Sequence, residues 1–131
     1  MITAGRGIFT LCLAACCMCT ANAYEDTGAL ADRIQSAGRG AHLGRNLCGY
    51  TAGQVGEYKE RLRRSLSSPA GFDSEWDYGW KRAEPMLLQY QSLQATDPQD
   101  YESRVHLVCA TLRSIARRLP KPTNEAAPPS P

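Results

Sequence analysis

Cysteine and histidine are the residues of this sequence whose types and spacing could do chemistry. The chain has 131 residues, of which six are cysteine and two are histidine. His106 and Cys109 are three positions apart, so on a helix both would reach one metal ion, and His42 and Cys48 could complete the ligand set. The alternative is that Cys48 and Cys109 form a disulfide bond.

The count and spacing of the cysteines favour the disulfide. Four of the six cysteines precede Ala23, in a stretch with the pattern of an export signal, and removal of that stretch leaves one pair. The chain after Ala23 has no Cys-x-x-Cys pair and no second closely spaced pair of ligands. We therefore predict a Cys48–Cys109 disulfide, no bound metal and no cofactor.

Residues 1–23 are predicted to be a signal peptide. An apolar run from Ile8 to Cys19 precedes Ala21-Asn22-Ala23, which is a small-residue cleavage site. The run is shorter than the about 20 residues that a membrane-spanning helix needs. We therefore expect cleavage after Ala23 and a periplasmic or secreted protein.

A second processing site overlaps the first. Leu13-Ala14-Ala15-Cys16 resembles the bacterial lipobox, in which the cysteine is acylated and becomes the first residue. The resemblance covers four residues and implies a bacterial lipoprotein that is anchored to a membrane through Cys16. This processing would keep Cys17 and Cys19 as extra thiols, whereas cleavage after Ala23 discards all four clustered cysteines, so we favour the cleavage.

Composition and motifs exclude several classes of function. The formal net charge of +2 is too small for the electrostatic attraction that nucleic-acid binding requires. The chain has no Gly-x-Ser-x-Gly, His-Glu-x-x-His or Cys-x-x-Cys-His motif, and the glycines of residues 38–44 match no nucleotide-binding motif. We therefore predict that the protein has no catalytic residues and is not an enzyme.

Apolar residues at alternating spacings of three and four predict a helix over residues 98–119. Asp97 is a suitable N-cap, Pro98 suits the first helical position and Pro120 ends the helix. The apolar stripe comprises Tyr101, Val105, Val108, Leu112, Ile115 and Leu119. This pattern is typical of a helix with one face in a core.

Two further long helices are predicted upstream. One begins with a capping box formed by Thr51 and Gln54 and ends before Pro69. The other covers residues 73–93 and contains Pro85, which removes one hydrogen bond and crowds the preceding turn. We expect either a kink near residues 81–85 or two shorter helices.

The predicted fold is all-α: a small up-down bundle of three to four helices, joined by one disulfide and preceded by the signal peptide. Residues 24–50 are expected to form a short helix and a glycine-rich loop, and residues 51–119 to form the bundle. Residues 120–131 contain five prolines and are expected to be disordered.

Two groups of side chains could bind a partner. The aromatic group comprises Phe72, Trp76, Tyr78 and Trp80; such residues are enriched in interfaces, although ordinary core packing is the favoured alternative. The basic runs Lys59–Arg64 and Arg113–Arg118 could attract an acidic partner or a lipid surface. We favour the interpretation that these cations complement helix macrodipoles, since both runs lie toward C-terminal helix ends.

The functional hypothesis is a small exported helical protein that binds another envelope or secreted protein, as inhibitors, immunity proteins, chaperones and secretion accessories do. No nucleic-acid partner is expected. Contact with a membrane is expected only through a possible lipid anchor. Two alternatives stay open. One is a lipoprotein with a structural role, tethered through Cys16, and the other is a metal-dependent protein that uses His106 and Cys109.

Overall fold

The computed structural model describes residues 18–121, with side chains from Asp26 onwards, and that part of the chain is helical without strands. Its helices are α1 (Met18–Leu47), α2 (Ala52–Ser65), α3 (Phe72–Lys81), α4 (Glu84–Thr96) and α5 (Pro98–Arg118). The predicted all-α class is therefore confirmed. The structure has five helices where the sequence predicts three to four, because the predicted helix over residues 73–93 is split into α3 and α4.

The split at Pro85 is one of the two outcomes that the sequence predicts. Pro85 lies in the first turn of α4, where a missing backbone N–H is harmless. The backbone N–H of Ala83 donates to the carbonyl oxygen of Trp80 in the tight turn between α3 and α4. Ala83 itself is fully buried, so the turn is packed against the rest of the protein.

Both predicted N-caps are confirmed. The Gln54 backbone N–H donates to Thr51 Oγ1 at 3.1 Å, and the Thr51 N–H donates to Gln54 Oε1 at 2.9 Å. At α5, the Asp100 N–H donates to Asp97 Oδ1 at 3.0 Å. The ends of α2 and α5 were predictable because capping depends on residues a few positions apart.

Helix α1 corrects the predicted organisation of residues 24–50. The sequence predicts a short helix and then a glycine-rich loop, but α1 continues through residues 38–47 as regular helix. Each glycine inside a helix costs about 1 kcal/mol relative to alanine. Contacts with the other helices offset that cost. The surroundings of Gly38 in α1 and of Gly79 in α3 are the clearest example.

Gly38 on α1 and Gly79 on α3 allow these two helices to pack backbone to backbone. A Cβ atom on Gly38 would overlap with the Trp76 carbonyl oxygen, and one on Gly79 would overlap with the Gln35 carbonyl oxygen. Gly38 and Gly79 are both buried. Gly38, one of the glycines that suggested a loop, is therefore part of a close backbone contact between two helices.

The core consists of two clusters that share α1. The first comprises Ile34, Ala41, Leu62, Phe72, Trp76 and Leu119, from α1, α2, α3 and the residue after α5. The second comprises Leu43, Ala83 and Leu87, with Leu47, Met86 and Leu112 packed against it. Helix α1 is thus the central element on which the other helices pack.

The predicted disulfide between Cys48 and Cys109 is present. It joins the residue after α1 to the middle of α5, across 61 positions of sequence. A disulfide indicates an oxidising, extracytoplasmic setting. Among residues 18–121, none of the helices has the length and hydropathy to cross a membrane.

Several predictions concern the chain ends. Cys16 and the lipobox-like segment lie outside the described residues, as do residues 122–131 of the predicted tail. Met18–Ala23, the last part of the predicted signal peptide, forms the first turns of α1.

Candidate functional site

The structure corrects the predicted partner-binding set at two positions. Phe72 and Trp76 are only 1% and 3% exposed, so their rings are in the core and not on the surface. Tyr78 is 53% exposed, with the Arg82 guanidinium over its ring. Trp80 is half-buried. For Phe72 and Trp76 the favoured alternative of core packing is therefore correct.

His42 is held inside the fold by Trp80 and Glu84. Its Nδ1–H donates to the Trp80 carbonyl oxygen at 2.8 Å, and its ring stacks on the Trp80 ring with centroids 4.3 Å apart. Its Nε2 lies 3.4 Å from Glu84 Oε1. One ring nitrogen is thus occupied by the backbone, and His42 connects α1 to the turn between α3 and α4.

The structure does not bring the four candidate metal ligands, His42, Cys48, His106 and Cys109, together at one site. The sulfurs of Cys48 and Cys109 are bonded to each other, and His106 is exposed. No group of three His, Cys, Asp or Glu side chains within residues 26–121 is arranged to hold a metal ion. In the oxidised protein, Cys109 is therefore not free to bind a metal ion beside His106.

The first basic run is largely used to join α2 to α3. Arg63 donates to both carboxylate oxygens of Asp73, at 2.9 and 2.7 Å, and Lys59 Nζ lies 2.8 Å from Asp73 Oδ1. Arg63 also lies over the ring of Phe72, and Lys59 over that of Trp76. These two cations therefore have structural partners.

Asp73 makes part of the stability dependent on pH. The hydrogen bonds from Arg63 and Lys59 hold the pKa of the Asp73 carboxyl far below its usual range. Because the unfolded carboxyl titrates near about pH 4, this stabilisation is present above that pH and is lost as the pH falls. We expect Asp73→Asn to lower the urea midpoint at neutral pH, with a difference from wild type that shrinks on acidification.

The control for that prediction is Asp77→Asn, on the exposed side of the same helix. Its urea midpoint should follow the wild type at each pH. A constant difference between wild type and Asp73→Asn from neutral to acidic pH would contradict the assignment.

A cleft runs between α1, α2 and α5. It consists of two adjoining depressions of about 250 and 300 Å³, which share Gly40, Tyr58 and Leu112. A third depression, of about 490 Å³, adjoins the first at Arg61 and Ala116 and is lined by Arg113, Arg117 and Lys121. We call the three depressions together the basic groove. Its apolar lining includes Ala41, Val55, Leu62, Leu112, Ala116 and Leu119.

Small residues and one tyrosine give the basic groove its shape. A Cβ on Gly40 would lie 2.9 Å from Leu112 Cδ2, so the glycine allows α5 to approach α1 there. At one end, the Tyr50 ring covers Gly44, where a Cβ would meet the ring at 2.5 Å. The Tyr50 N–H donates to the Gly44 carbonyl oxygen, which fixes this end beside the disulfide.

Arg61 holds the other end of the basic groove. Its Nη2 donates to the carbonyl oxygens of Leu119 and Ala116, at 2.8 and 3.3 Å, and its Nε donates to that of Pro120. These carbonyls lie at the C-terminal end of α5, where helix carbonyls lack partners within the helix. Arg61 therefore fixes the position of α5 against α2.

We expect Arg61→Met to lower the free energy of unfolding by about 1–2 kcal/mol, because the charged hydrogen bonds to α5 are lost. Urea unfolding followed by circular dichroism measures the change. Arg64→Met is the matched control, since Arg64 is exposed and should stay within about 0.5 kcal/mol of wild type. Equal losses in the two variants would show that Arg61 has no capping role.

The cations of the basic groove carry no acidic partner within the described residues. They comprise Arg33, Arg113, Arg117, Arg118 and Lys121, and none belongs to the ion pairs of residues 26–121. Among the lining residues, Glu57 is the one carboxylate. Burial raises the pKa of the Tyr58 hydroxyl in the same cleft, and the positive charges of Arg33 and Arg61 oppose that shift.

The helix macrodipole explains only part of this charge. Arg117 and Arg118 are in the last turn of α5, where cations are favourable. Arg113 lies more than one turn before that end, and the macrodipole effect is confined to the last turn. Arg61 already donates hydrogen bonds to the C-terminal carbonyl oxygens of α5. Stabilisation of this helix end therefore does not explain the presence of Arg113.

No protein family, curated protein or solved structure matches this chain.

Proposed function

We propose that this protein is a small exported, non-enzymatic binding module that docks another envelope or secreted protein in the basic groove. The observation that carries the proposal is the combination of five unpaired cations, within the described residues, with an apolar floor. Apolar contacts supply affinity, and charges at the rim steer the partner and select it. A role as an inhibitor, immunity protein, chaperone or secretion accessory is compatible with this mode of binding.

The disulfide supports a place outside the cytoplasm, and the predicted leader favours the periplasm or secretion. We propose cleavage after Ala23. The lipobox resemblance ending at Cys16 favours the alternative, a lipid-tethered form of the same binding protein. The intact mass of the protein from its native host distinguishes a chain that begins at Tyr24 from one that begins at an acylated Cys16.

Capture from an envelope extract tests the binding function when charge variants are compared. The groove variant is Arg113→Glu/Arg117→Glu, and the matched control is Arg64→Glu/Lys81→Glu. Arg64 and Lys81 are exposed, line none of the clefts described above, and give the same change in net charge.

We expect the wild type and the control variant to retain the same protein, and the groove variant to lose it at least about tenfold. Equal retention by all three proteins would contradict a binding role for the basic groove.

A further inference from the structure

The basic groove has features that specify the chemistry of its occupant. We infer that the occupant is an acidic, amphipathic helical segment of the partner protein. This inference rests on the proposed function and adds the class of ligand. Three observations carry it: the spacing of the apolar residues of the floor, the spacing of the cations and the burial of most of the floor.

The apolar residues that α5 contributes to the floor recur at helical spacing. Leu112 and Ala116 line the first depression, and Ile115 and Leu119 line the second, with Leu112 common to both. From Leu112 to Leu119 the floor extends for roughly 10 Å along the axis of α5, which is two helical turns. An amphipathic helix places apolar side chains one and two turns apart on one face, which matches this length.

The cations on one wall are also spaced by one turn. Arg113 and Arg117 are four residues apart on α5, roughly 6 Å along its axis, and Lys121 follows at the end of the same wall. A helix lying along α5 with carboxylates four residues apart would place one carboxylate opposite each guanidinium. Arginine binds carboxylates through two parallel hydrogen bonds, which fixes the register of such a helix.

The depression that contains Ile115 and Leu119 is also lined by Arg33 and Arg118, so cations border this part of the floor as well. Ile115 belongs to the floor of the same depression and is 43% exposed, so its side chain is accessible to a partner. A side chain of an amphipathic partner would cover Ile115 while its carboxylates meet the arginines.

The burial of most of the floor separates a helix from a membrane surface, and its apolar character separates a helix from a nucleic acid. Ala41, Leu62 and Leu119 are only 6%, 2% and 8% exposed, so a flat bilayer surface meets few of the apolar atoms of the floor. A nucleic acid supplies phosphates for the rim but no apolar side chains for the floor. A peptide helix supplies both groups at once.

The test uses synthetic peptides as probes of the full chain with its disulfide intact. The acidic probe is a helical peptide with leucines at helical spacing and glutamates four residues apart. A second peptide has glutamine at each glutamate position, and a third has the acidic composition in scrambled order. Binding is measured by fluorescence anisotropy, and the site is mapped from amide chemical shifts.

We expect the acidic probe to shift amides of α5 from Leu112 to Leu119, and the glutamine peptide to bind about tenfold more weakly. Arg113→Glu/Arg117→Glu should lose the probe, whereas Arg64→Glu/Lys81→Glu should keep it. Ala116→Leu, which fills the floor without a change of charge, should also weaken binding while the melting temperature is kept.

Three outcomes would overturn the inference. The first is equal binding of the acidic and glutamine peptides, and the second is equal binding of the scrambled peptide. The third is binding to phosphatidylglycerol vesicles, dependent on Arg113 and Arg117, without binding to the peptide. If the probe fails but capture of an envelope protein still depends on Arg113 and Arg117, the inference is wrong and the proposed function stands. If both fail, the proposed function is wrong as well.

Discussion

Cys48→Ala/Cys109→Ala is expected to have a free energy of unfolding about 4 kcal/mol lower than that of the oxidised wild type. The bond closes a loop across 61 positions, and the chain-entropy relation gives this value for the loss of freedom in the unfolded chain. For a domain of this size such a loss is a large part of the total stability. Urea unfolding of the two proteins measures the difference.

The control for this prediction is the wild type in excess reductant, which should unfold at the same urea concentration as the double alanine variant. A difference below about 1 kcal/mol between the oxidised and alanine proteins would contradict a stabilising role of the disulfide. In the basic groove, loss of the bond should also free Tyr50 from its place beside Gly44, because Cys48 anchors the end of α1 to α5.

Gly79→Ala is expected to lower the free energy of unfolding by about 3 kcal/mol. The added Cβ would overlap with the backbone of Gln35, which is part of α1 and has no freedom to rotate away. Helices α1 and α3 must then separate, which loosens the packing of Trp76 and Ile34 between them. Overpacking of this kind typically costs about 1–3 kcal/mol, and a backbone contact is at the upper end.

Gly56→Ala is the matched control, because Gly56 is also inside a helix but has open space around it. Without a clash, the substitution removes the conformational cost of glycine and should raise the free energy of unfolding by about 0.5–1 kcal/mol. The two substitutions are chemically identical, so opposite signs isolate the contact with α1. A stabilising Gly79→Ala would contradict the observed packing of α1 against α3.

The parts of the fold that were predicted correctly depend on local sequence. Apolar periodicity and N-caps located α2 and α5, because both signals come from residues within one or two turns. Pro85 located the break between α3 and α4, since a proline disturbs its own helix regardless of the surroundings. The disulfide followed from the number of cysteines that remain after the predicted leader.

The C-terminal half of α1 was not predicted because its helical state depends on contacts distant in sequence. Gly38 and Gly44 disfavour a helix locally, and only the backbone of α3 and the ring of Tyr50 explain their presence. A signal did exist: Leu30, Ile34 and Ala37 are followed at the next helical interval by Ala41, which is buried. Small apolar residues that continue a stripe through glycines can indicate close helix packing.

The candidate site was predictable only in part. Both basic runs were visible in the sequence, but which cations have structural partners depends on the tertiary fold. Lys59 and Arg63 bind Asp73 and Arg61 caps α5, whereas Arg113 and Arg117 face a cleft. The floor from α1, with Gly40 and Ala41, could not be placed while that segment was expected to be a loop.

Site-specific photo-crosslinking in the native host tests the central claim most directly. A photoreactive residue is placed at Ile115, in the basic groove, and in a second protein at Leu88, which is 63% exposed on α4 and away from the groove. We predict a discrete protein adduct from Ile115 that disappears in the Arg113→Glu/Arg117→Glu background, and none from Leu88. An adduct from Leu88 alone, or one from Ile115 that is insensitive to the two arginines, would contradict the assignment of the basic groove as the binding site.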